Sequence, residues 1–414
     1  MTTIRVIPPA DYDHFMTIAG SAFPGMQVDS DQARTRFMES LERMADDRNR
    51  SLWGAYRGDE LQGGMIHYQF RQNIRGQIMD SAGIGLLAVD LLHKKEKIAR
   101  DLVRSFIQRC QHGSVPLALL YPFRQDFYRQ MGFGYGTKMN HYRVRTRQLQ
   151  FQRERQGLNY LDRSAGDALL TCAQNMARRT HGMILREIWE VERNLRSRKN
   201  QIVGYQPGDT LRGYLVFSFK EGSTFLDNAL EVKELVYEDR EALLALLNFV
   251  GLQADQAPWT EINTLEADFH FLMNDPRNNT NHIIPSVYHE SNTQGVGLMY
   301  RLVDVEAFFE RLGPAQFGAG RCTIELEVQD SFIGDNNGTL HVQFADQKAR
   351  LIRAGEADVK LRIDVDTLSA LIMGAVRFQS LYRYGLVEIS DSEQVLLVDR
   401  LFATPQPPVC LTAF

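Results

Sequence analysis

The residues best suited to do chemistry stand where a buried strand passes into a helix, in the first quarter of the chain. The strand ends at residues 87–89, Leu-Ala-Val, after a nearly continuous apolar run. Four basic side chains lie just before the helix or in its first turn: Lys94, Lys95, Lys97 and Arg100. Backbone N–H groups at a helix start, with basic side chains beside them, form an anion site suited to a pyrophosphate. The alternative is that this lysine-rich turn is simply solvated.

A second motif follows the next buried strand, which we predict over residues 117–121. It is the segment 127–133, Phe-Tyr-Arg-Gln-Met-Gly-Phe, with Tyr128 in second place. Together the two motifs resemble the GNAT family of N-acetyltransferases, in which a VAV strand end, a [QR]xxGx[GA] loop and an FYxxxGF segment occur in this order. Here they correspond to 87–89, 94–99 and 127–133. Taken alone, Tyr128 is also compatible with an ordinary core or surface tyrosine near a turn.

The resemblance implies an α/β acetyltransferase domain that uses acetyl-CoA as co-substrate. A neutral amine is expected to attack the thioester directly, while a backbone N–H at Leu87 or Val89 polarises the thioester carbonyl. Tyr128 is expected to protonate the departing CoA thiolate. The residues that we predict to contact acetyl-CoA are Leu87, Ala88, Val89, Lys94, Lys95, Glu96, Lys97, Ile98, Ala99, Arg100, Phe123 and Arg124.

The sequence departs from the family pattern at Lys97, where the loop usually has glycine. Glycine allows a close backbone approach to phosphate and a positive φ at no cost. A lysine held in a left-handed conformation would cost about 1–2 kcal/mol. If Lys97 keeps a helical φ instead, only the approach distance suffers, and its ammonium group could compensate.

The rest of the chain shows a repeat of the first segment and then a change of pattern. Hairpin strands, a long strand and an amphipathic helix recur in a second block, where the strand 230–237 precedes the helix 240–250. From about residue 286, strictly alternating strands are typical of a different, α+β domain. We therefore predict α/β and α+β classes together, arranged as tandem GNAT-like domains followed by a sterol-carrier-protein-like domain. The predicted boundaries are 1–147, 148–285 and 286–414.

The middle block keeps the layout of the first without its chemical motifs. Its strand-to-helix junction, residues 237–241, holds three acidic side chains that would repel a pyrophosphate, and no FYxxxGF segment follows. We expect it to be a scaffold and a wall of the substrate cavity.

The end of the chain extends the resemblance to the enhanced intracellular survival (Eis) family of GNAT enzymes. Residues 407–414, Pro-Pro-Val-Cys-Leu-Thr-Ala-Phe, are uncharged and largely apolar, which indicates docking because solvated tails are polar. The resemblance implies that the α-carboxylate of Phe414 is the general base and that the assembly is a homohexamer. It also implies a polyamine-like acceptor, such as an aminoglycoside or a lysine side chain. The alternative is that Phe414 only packs under its own sheet.

Composition excludes several other classes of function. A formal net charge of −4 argues against nucleic acid as the main partner, and alternating arginines from Arg143 to Arg155 are typical of a solvated strand face. No apolar run approaches transmembrane length, and we expect no membrane partner. Four scattered cysteines and the absence of a signal-peptide pattern predict a cytoplasmic protein without disulfides, with Cys110 and Cys172 in cores. No His or Cys spacing predicts a metal site.

A rival hypothesis from another class is a non-catalytic protein. In that case Lys97 would block CoA, and the sterol-carrier-like domain would bind an apolar ligand or only assemble subunits. Binding of acetyl-CoA distinguishes the two hypotheses.

Overall fold

The chain forms two compact units from interleaved segments. The structure is a computed structural model that describes residues 2–26, 30–150, 156–224, 227–313, 315–353 and 355–414. The first unit holds residues 1–136, 298–407 and 414, and the second holds 137–297 and 408–413.

The helices and strands of the described residues alternate through much of the chain. The strands are β1 (Thr2–Val6), β2 (Arg50–Arg57), β3 (Glu60–Ile74), β4 (Gln77–Val89), β5 (Leu117–Leu120), β6 (Gly134–Tyr135), β7 (Lys138–Arg145), β8 (Leu158–Tyr160), β9 (Gln201–Tyr205), β10 (Gly213–Lys220), β11 (Ala229–Tyr237), β12 (Trp259–Thr264), β13 (Ile283–Ile284), β14 (Tyr288–His289), β15 (Asn292–Val296), β16 (Met299–Leu302), β17 (Cys322–Gln329), β18 (Gly338–Ala345), β19 (Lys348–Ile352), β20 (Val359–Asp364) and β21 (Val387–Ile389). The helices are α1 (Tyr12–Ala22), α2 (Asp31–Ala45), α3 (Ile98–His112), α4 (Gln125–Arg129), α5 (Gly166–Arg179), α6 (Ile188–Arg196), α7 (Arg240–Gly251), α8 (Val305–Arg311), α9 (Val365–Ile372), α10 (Phe378–Arg383) and α11 (Val395–Phe402).

The first unit contains a mixed sheet with described strands in the order β1-β2-β3-β4-β5-β16-β6. β4 and β5 are parallel, with Ser81 opposite Leu117 and Ile84 opposite Leu120. A parallel pair needs a crossover, and α3 supplies it. The apolar stripe that predicts this helix is buried in full: Ile98, Leu102, Val103, Phe106, Ile107 and Cys110. The packed stripe fixes the start of α3 beside the end of β4.

A second sheet of the first unit has described strands in the order β19-β18-β17-β20-β21. The alternation that predicts β17 is confirmed, because Ile324, Leu326 and Val328 point into the core while the residues between them are half-buried or exposed. Helix α9 begins directly after β20.

The second unit is built on a sheet whose described strands run β15-β7-β12-β11-β10-β9-β8. Helix α7 packs on this sheet and buries Leu246, Leu247 and Val250, as the predicted amphipathic helix requires. The strands β10 and β11, which pair with each other, and the helix α7 repeat the order β3, β4 and α3 of the first unit. The predicted tandem of GNAT-like layouts is therefore present.

Two strands lie in sheets that their sequence does not predict. β16 follows the second block along the chain but pairs with β5 and β6 of the first unit. β7 lies within the first predicted segment but pairs with β12 and β15 in the second unit. Local patterns cannot show such pairings, because any strand with a buried face can pair with any free edge. The segments 1–147, 148–285 and 286–414 stay a prediction of domain organisation.

The predicted solvated face of alternating arginines is confirmed only in part on β7. Arg143 and Arg145 alternate with buried neighbours, but their guanidinium groups stack on the Trp259 ring at 4.0 and 3.9 Å. Arg153 and Arg155 lie outside the described residues. All four cysteines are free and buried, so Cys110 and Cys172 are core residues as predicted.

Candidate active site

The loop between β4 and α3 has a backbone shaped for close approach to an anion. The carboxylate of Asp90 accepts a hydrogen bond from the Leu92 N–H at 2.8 Å and starts a short 3₁₀ turn. Lys95 and Lys97 both have a φ of 68°. Of the two conformations open to Lys97, the structure adopts the left-handed one, which glycine would adopt freely. The loop thus keeps the glycine-type shape with lysine in place of glycine.

Helix α3 begins directly after this loop. Lys97 occupies the N-cap position and makes no side-chain cap hydrogen bond. The side chains of Lys94, Lys95 and Lys97 are exposed, whereas Ile98 is buried in the core. Ile98 can therefore contact a cofactor only through its backbone. The loop fits a pyrophosphate, since a helix start without a side-chain cap lies beside three exposed lysine side chains.

Glu96 fixes the loop rather than leaving a free acid beside the phosphate site. Its carboxylate accepts a hydrogen bond from Arg57 Nη2 at 2.5 Å and lies 3.2 Å from Nδ1 of His93. The hydrogen bond from Arg57, followed by that of His93, lowers the pKa of the Glu96 carboxyl. This pairing ties the loop to the end of β2.

The strand end that the family motif identifies lies beyond the paired part of β4 and β5. Their pairing runs from Ser81 to Ile84 on β4. Leu86 has a φ of 47°, and the β3–β4 register shifts beside it, which marks a β-bulge. Bulges bend a strand and re-aim its groups, often next to active sites. The segment 87–89 therefore follows the bulge, at the point where the two parallel strands separate.

Tyr128 lies on α4 in an aromatic cluster. Its side chain is 4% exposed and makes edge contacts with Phe127, Phe133 and Phe123, at ring-centroid distances of 5.1, 6.1 and 6.4 Å. Burial raises the pKa of the Tyr128 hydroxyl, so the phenol keeps its proton at neutral pH. Phe123 itself is 67% exposed, and the guanidinium of Arg124 is bound to Asp126.

Phe414 packs against β4, close to the segment 87–89 at the end of that strand. Its ring contacts the rings of Tyr68, Phe70 and Tyr121, with centroids 5.5, 4.9 and 5.3 Å away. A Cβ atom at Gly83 would stand 2.6 Å from this ring, and one at Gly85 would stand 3.3 Å from the carboxyl carbon. The alternative that Phe414 packs under the sheet of the C-terminal segment is wrong, because the ring packs on the first sheet.

Five residues of this aromatic seat were missed by the sequence analysis: Tyr68, Phe70, Gly83, Gly85 and Tyr121. A signal for two of them was present, because glycines in a buried apolar strand often mark a close approach of another group. The aromatic residues carry no such signal, because Tyr68 and Phe70 alternate on β3 as in an ordinary strand and Tyr121 directly follows β5.

The segment 408–413 is anchored within the second unit. The Val409 N–H donates to the His181 carbonyl at 2.8 Å, and the Thr137 hydroxyl donates to the Pro408 carbonyl at 2.7 Å. Nη1 of Arg193 donates to the carbonyl of Ala413 at 3.1 Å. Docking of this apolar end is therefore confirmed.

The second unit has a different helix start at the corresponding junction. The Asp239 carboxylate accepts a hydrogen bond from the Ala242 N–H at 3.0 Å and caps α7. It also pairs with Arg212 at 2.7 Å. A carboxylate thus caps this helix start, whereas α3 has no side-chain cap. The loss of chemistry in this block stays a prediction.

Within the part of the chain that the structure describes, no group of three or more His, Cys, Asp or Glu side chains could hold a metal ion. In the same residues, no helix has the length and apolar character needed to cross a bilayer.

Comparison with known families assigns most of the chain. Residues 3–136 and 182–302 each match a model of the acetyltransferase (GNAT) domain, and residues 305–411 match a sterol carrier protein domain. N-acetyltransferase Eis of Mycobacterium tuberculosis is 22% identical over 371 residues, which cover 86% of each chain.

Solved structures show the same fold over the whole length. A GCN5-related N-acetyltransferase from Anabaena variabilis superposes with a TM-score of 0.83 at 18% identity, and Eis1 from Mycobacterium abscessus with 0.78 at 22% identity. Each comparison covers 100% of both chains.

Two acetyltransferase layouts, a terminal sterol carrier domain and a loop shaped for pyrophosphate define a GNAT-type acyltransferase, a class that uses acetyl-CoA. Within this class the chain is similar over most of its length to N-acetyltransferase Eis.

Proposed function

We propose that this enzyme acetylates primary amines with Phe414 as general base and Tyr128 as general acid. The observation that carries the proposal is the position of the Phe414 carboxyl carbon, 3.3 Å from the point that a Cβ of residue 85 would occupy. That position is beside the bulge of β4, two residues before Leu87. The proposal requires that Phe414 carries the free α-carboxylate.

The base is needed because an alkyl amine has a pKa near 10 and is protonated at neutral pH. The Phe414 carboxylate takes the ammonium proton, directly or through a water molecule, and the neutral amine nitrogen then attacks the acetyl carbonyl. As the carbon–sulfur bond breaks, the nitrogen loses its second proton to solvent, and solvent replaces the proton that Tyr128 gives to the thiolate. An unperturbed terminal carboxyl has a pKa of about 3.3–3.7, so its orientation matters more here than its basicity.

The other groups of the site serve the carbonyl oxygen, the leaving thiolate and the phosphates. Acetyl-CoA supplies an activated acetyl group as a thioester. A backbone N–H at Leu87 or Val89 donates to the carbonyl oxygen, and the neutral phenol of Tyr128 gives its proton to the sulfur. Lys94, Lys95 and Lys97 hold the phosphates together with the N–H groups of α3.

The acceptor is a small molecule or side chain with a primary amine, and we propose a polyamine-like one. An aminoglycoside and a lysine side chain both carry such a group. We further propose a homohexamer in the cytoplasm, with domains 1–147, 148–285 and 286–414. A panel of kanamycin, spermine and Nα-acetyl-lysine tests the acceptor class, and sedimentation tests the assembly.

Two variants of the C-terminus separate the anchor from the base. Phe414→Ala keeps a terminal carboxylate but loses the partly buried ring that packs on Tyr68, Phe70 and Tyr121, so turnover should fall partly. Extension of the chain beyond Phe414 converts the carboxylate to an amide and should abolish turnover while acetyl-CoA still binds.

The matched control is the same extension added before Met1, which should leave turnover unchanged. Native turnover by the C-terminally extended protein would remove Phe414 from the mechanism and require another base. If calorimetry shows no binding of acetyl-CoA to the native protein, the non-catalytic rival is favoured. In that rival hypothesis, Lys97 blocks CoA.

A further inference from the structure

A buried ion pair lies beneath the segment that carries Tyr128. Arg301 comes from β16, between β5 and β6, and its side chain is 0% exposed, as is that of Asp330. The Arg301 guanidinium donates from Nη2 to the Asp330 carboxylate and from Nη1 to the Met131 carbonyl at 2.6 Å. The pair thus joins the region after β17 to the turn that ends α4.

Asp330 is itself held from several sides. Its Oδ1 accepts hydrogen bonds from the N–H groups of Phe332 and Ile333, both at 2.9 Å. Its Oδ2 accepts a further hydrogen bond from Asn336 at 3.1 Å. These bonds fix the carboxylate, and the carboxylate fixes the Arg301 fork. Phe332 and Ile333 belong to the same buried cluster as Tyr128.

The turn after Tyr128 is shaped to rest on the guanidinium. The Tyr128 carbonyl accepts hydrogen bonds from the N–H groups of Met131 and Phe133 at 2.9 and 3.2 Å. Gly132 has a φ of 79°, and a Cβ atom there would stand 1.5 Å from Arg301 Nη1. Arg301 therefore occupies the space that any side chain at position 132 would need.

We propose that Arg301 and Asp330 are positioning residues that hold Tyr128 in place for proton transfer to the leaving thiolate. The inference rests on the proposed role of Tyr128. Both side chains are enclosed in the core, so they act through the Met131 carbonyl and the turn. A displacement of about 1 Å at a reacting group can cost up to a hundredfold in rate, which gives a rigid support under this turn a catalytic effect.

The test removes both charges at once in the variant Arg301→Met, Asp330→Leu. Removal of one partner alone would leave an unpaired buried charge and destabilise the fold, whereas replacement of both by apolar residues is often tolerated. Arg301→Lys serves as a second variant that keeps the charge but loses the planar fork. Arg377→Met, Asp399→Leu is the control, because it likewise removes both charges of an ion pair with a buried carboxylate, elsewhere in the C-terminal region.

Each variant is made in two backgrounds, the native sequence and Tyr128→Phe, and the single-turnover rate of acetyl transfer is measured with the best acceptor of the panel. Tyr128→Phe alone should slow transfer by about 10²–10⁴-fold, the usual contribution of general acid catalysis. In the native background, the double variant and Arg301→Lys should slow transfer roughly tenfold to hundredfold with unchanged acetyl-CoA affinity. In the Tyr128→Phe background, they should cause no further loss.

An equal loss in both backgrounds would mean a structural role and would overturn the inference. An unchanged rate in the native background would overturn it as well. Full turnover by Tyr128→Phe is a separate result, because it removes the proposed general acid itself.

Discussion

Lys97 has a left-handed backbone at the position where the family pattern has glycine. A left-handed conformation costs a residue with a side chain about 1–2 kcal/mol relative to its favoured regions. The strained residue lies in the loop that we expect to bind the phosphates. There its positive charge would strengthen phosphate binding while its backbone conformation lowers stability. At this residue, stability and anion binding therefore make opposite demands.

We predict that Lys97→Gly stabilises the protein by about 1 kcal/mol, because glycine adopts this φ without strain. Lys94→Gly is the control, since Lys94 has the ordinary extended values of φ −61° and ψ 144° and glycine there only adds freedom to the unfolded chain. Both variants lose one lysine, so charge is matched. Urea unfolding measures the difference, and equal stability of the two variants would contradict the strain at Lys97.

At the scale of elements, β4 brings the parts of the site together. Its paired part with β5 ends at Ile84, its bulge lies at Leu86, and the motif 87–89 follows. Gly83 and Gly85 leave the space over the strand that the ring and carboxyl carbon of Phe414 occupy. The strand thus provides both the expected N–H donors and the seat of the expected base.

We predict that Gly83→Ala lowers acetyl transfer while acetyl-CoA still binds. The new Cβ would lie 2.6 Å from the rings of Phe414 and Phe70, closer than real contacts allow. The Phe414 ring can leave more easily than Phe70, whose backbone is paired in the sheet. Gly295→Ala, also in a strand but with no atom within 4 Å of its Cβ, is the control. Native rates in Gly83→Ala would show that the seat does not position the carboxylate.

At the scale of the whole molecule, the region after β16 is part of the first unit, which holds the proposed site. β16 completes the first sheet, and Phe332 packs with the core under α3 and α4. The Phe332 ring also lies 4.6 and 5.5 Å from the guanidinium carbons of Arg104 and Arg100 on α3. The stability of the first unit is therefore shared between residues far apart in sequence.

His67 on β3 is buried against Phe106 of α3, and its burial predicts a loss of stability in acid. Burial, with the charge of Arg109 as the smaller cause, lowers the pKa of His67 from 6.5 to about 4. Between these values the unfolded chain binds a proton that the folded chain does not. Stability is therefore lost as the pH falls from 6.5 to 4, by about 3 kcal/mol in total.

His67→Gln removes this titration, so the variant should lose less stability than the native protein over the same range. Urea unfolding at pH 6.5 and 4.5 measures the effect. Parallel pH profiles for the two proteins would show that His67 is not responsible.

The sequence alone determined the elements and the two motifs, since both depend on local pattern. The apolar stripe of α3 and the alternation of β17 are visible in the residues, because burial of one face requires a period of 3.6 or 2. The lysine-rich loop and the Tyr128 segment are recognisable in the sequence because they occur in the same order as the motifs of the GNAT family. The conformation of Lys97 stayed open, because two backbone states differ by only a few kcal/mol and neighbouring packing decides between them.

Tertiary structure decided everything that depends on long-range pairing. The pairing of β7 with β12, the pairing of β16 with β5, and the seat of Phe414 on Gly83 and Gly85 each join residues more than a hundred positions apart. The same holds for the hydrogen bond from Arg301 to Met131, although Asp330, the ionic partner of Arg301, is nearer in sequence. A charged residue such as Arg301 in a short strand suggests exposure by its type, yet its partners make it fully buried. Side-chain type fixes what a residue can bind, and only the fold fixes which partner it meets.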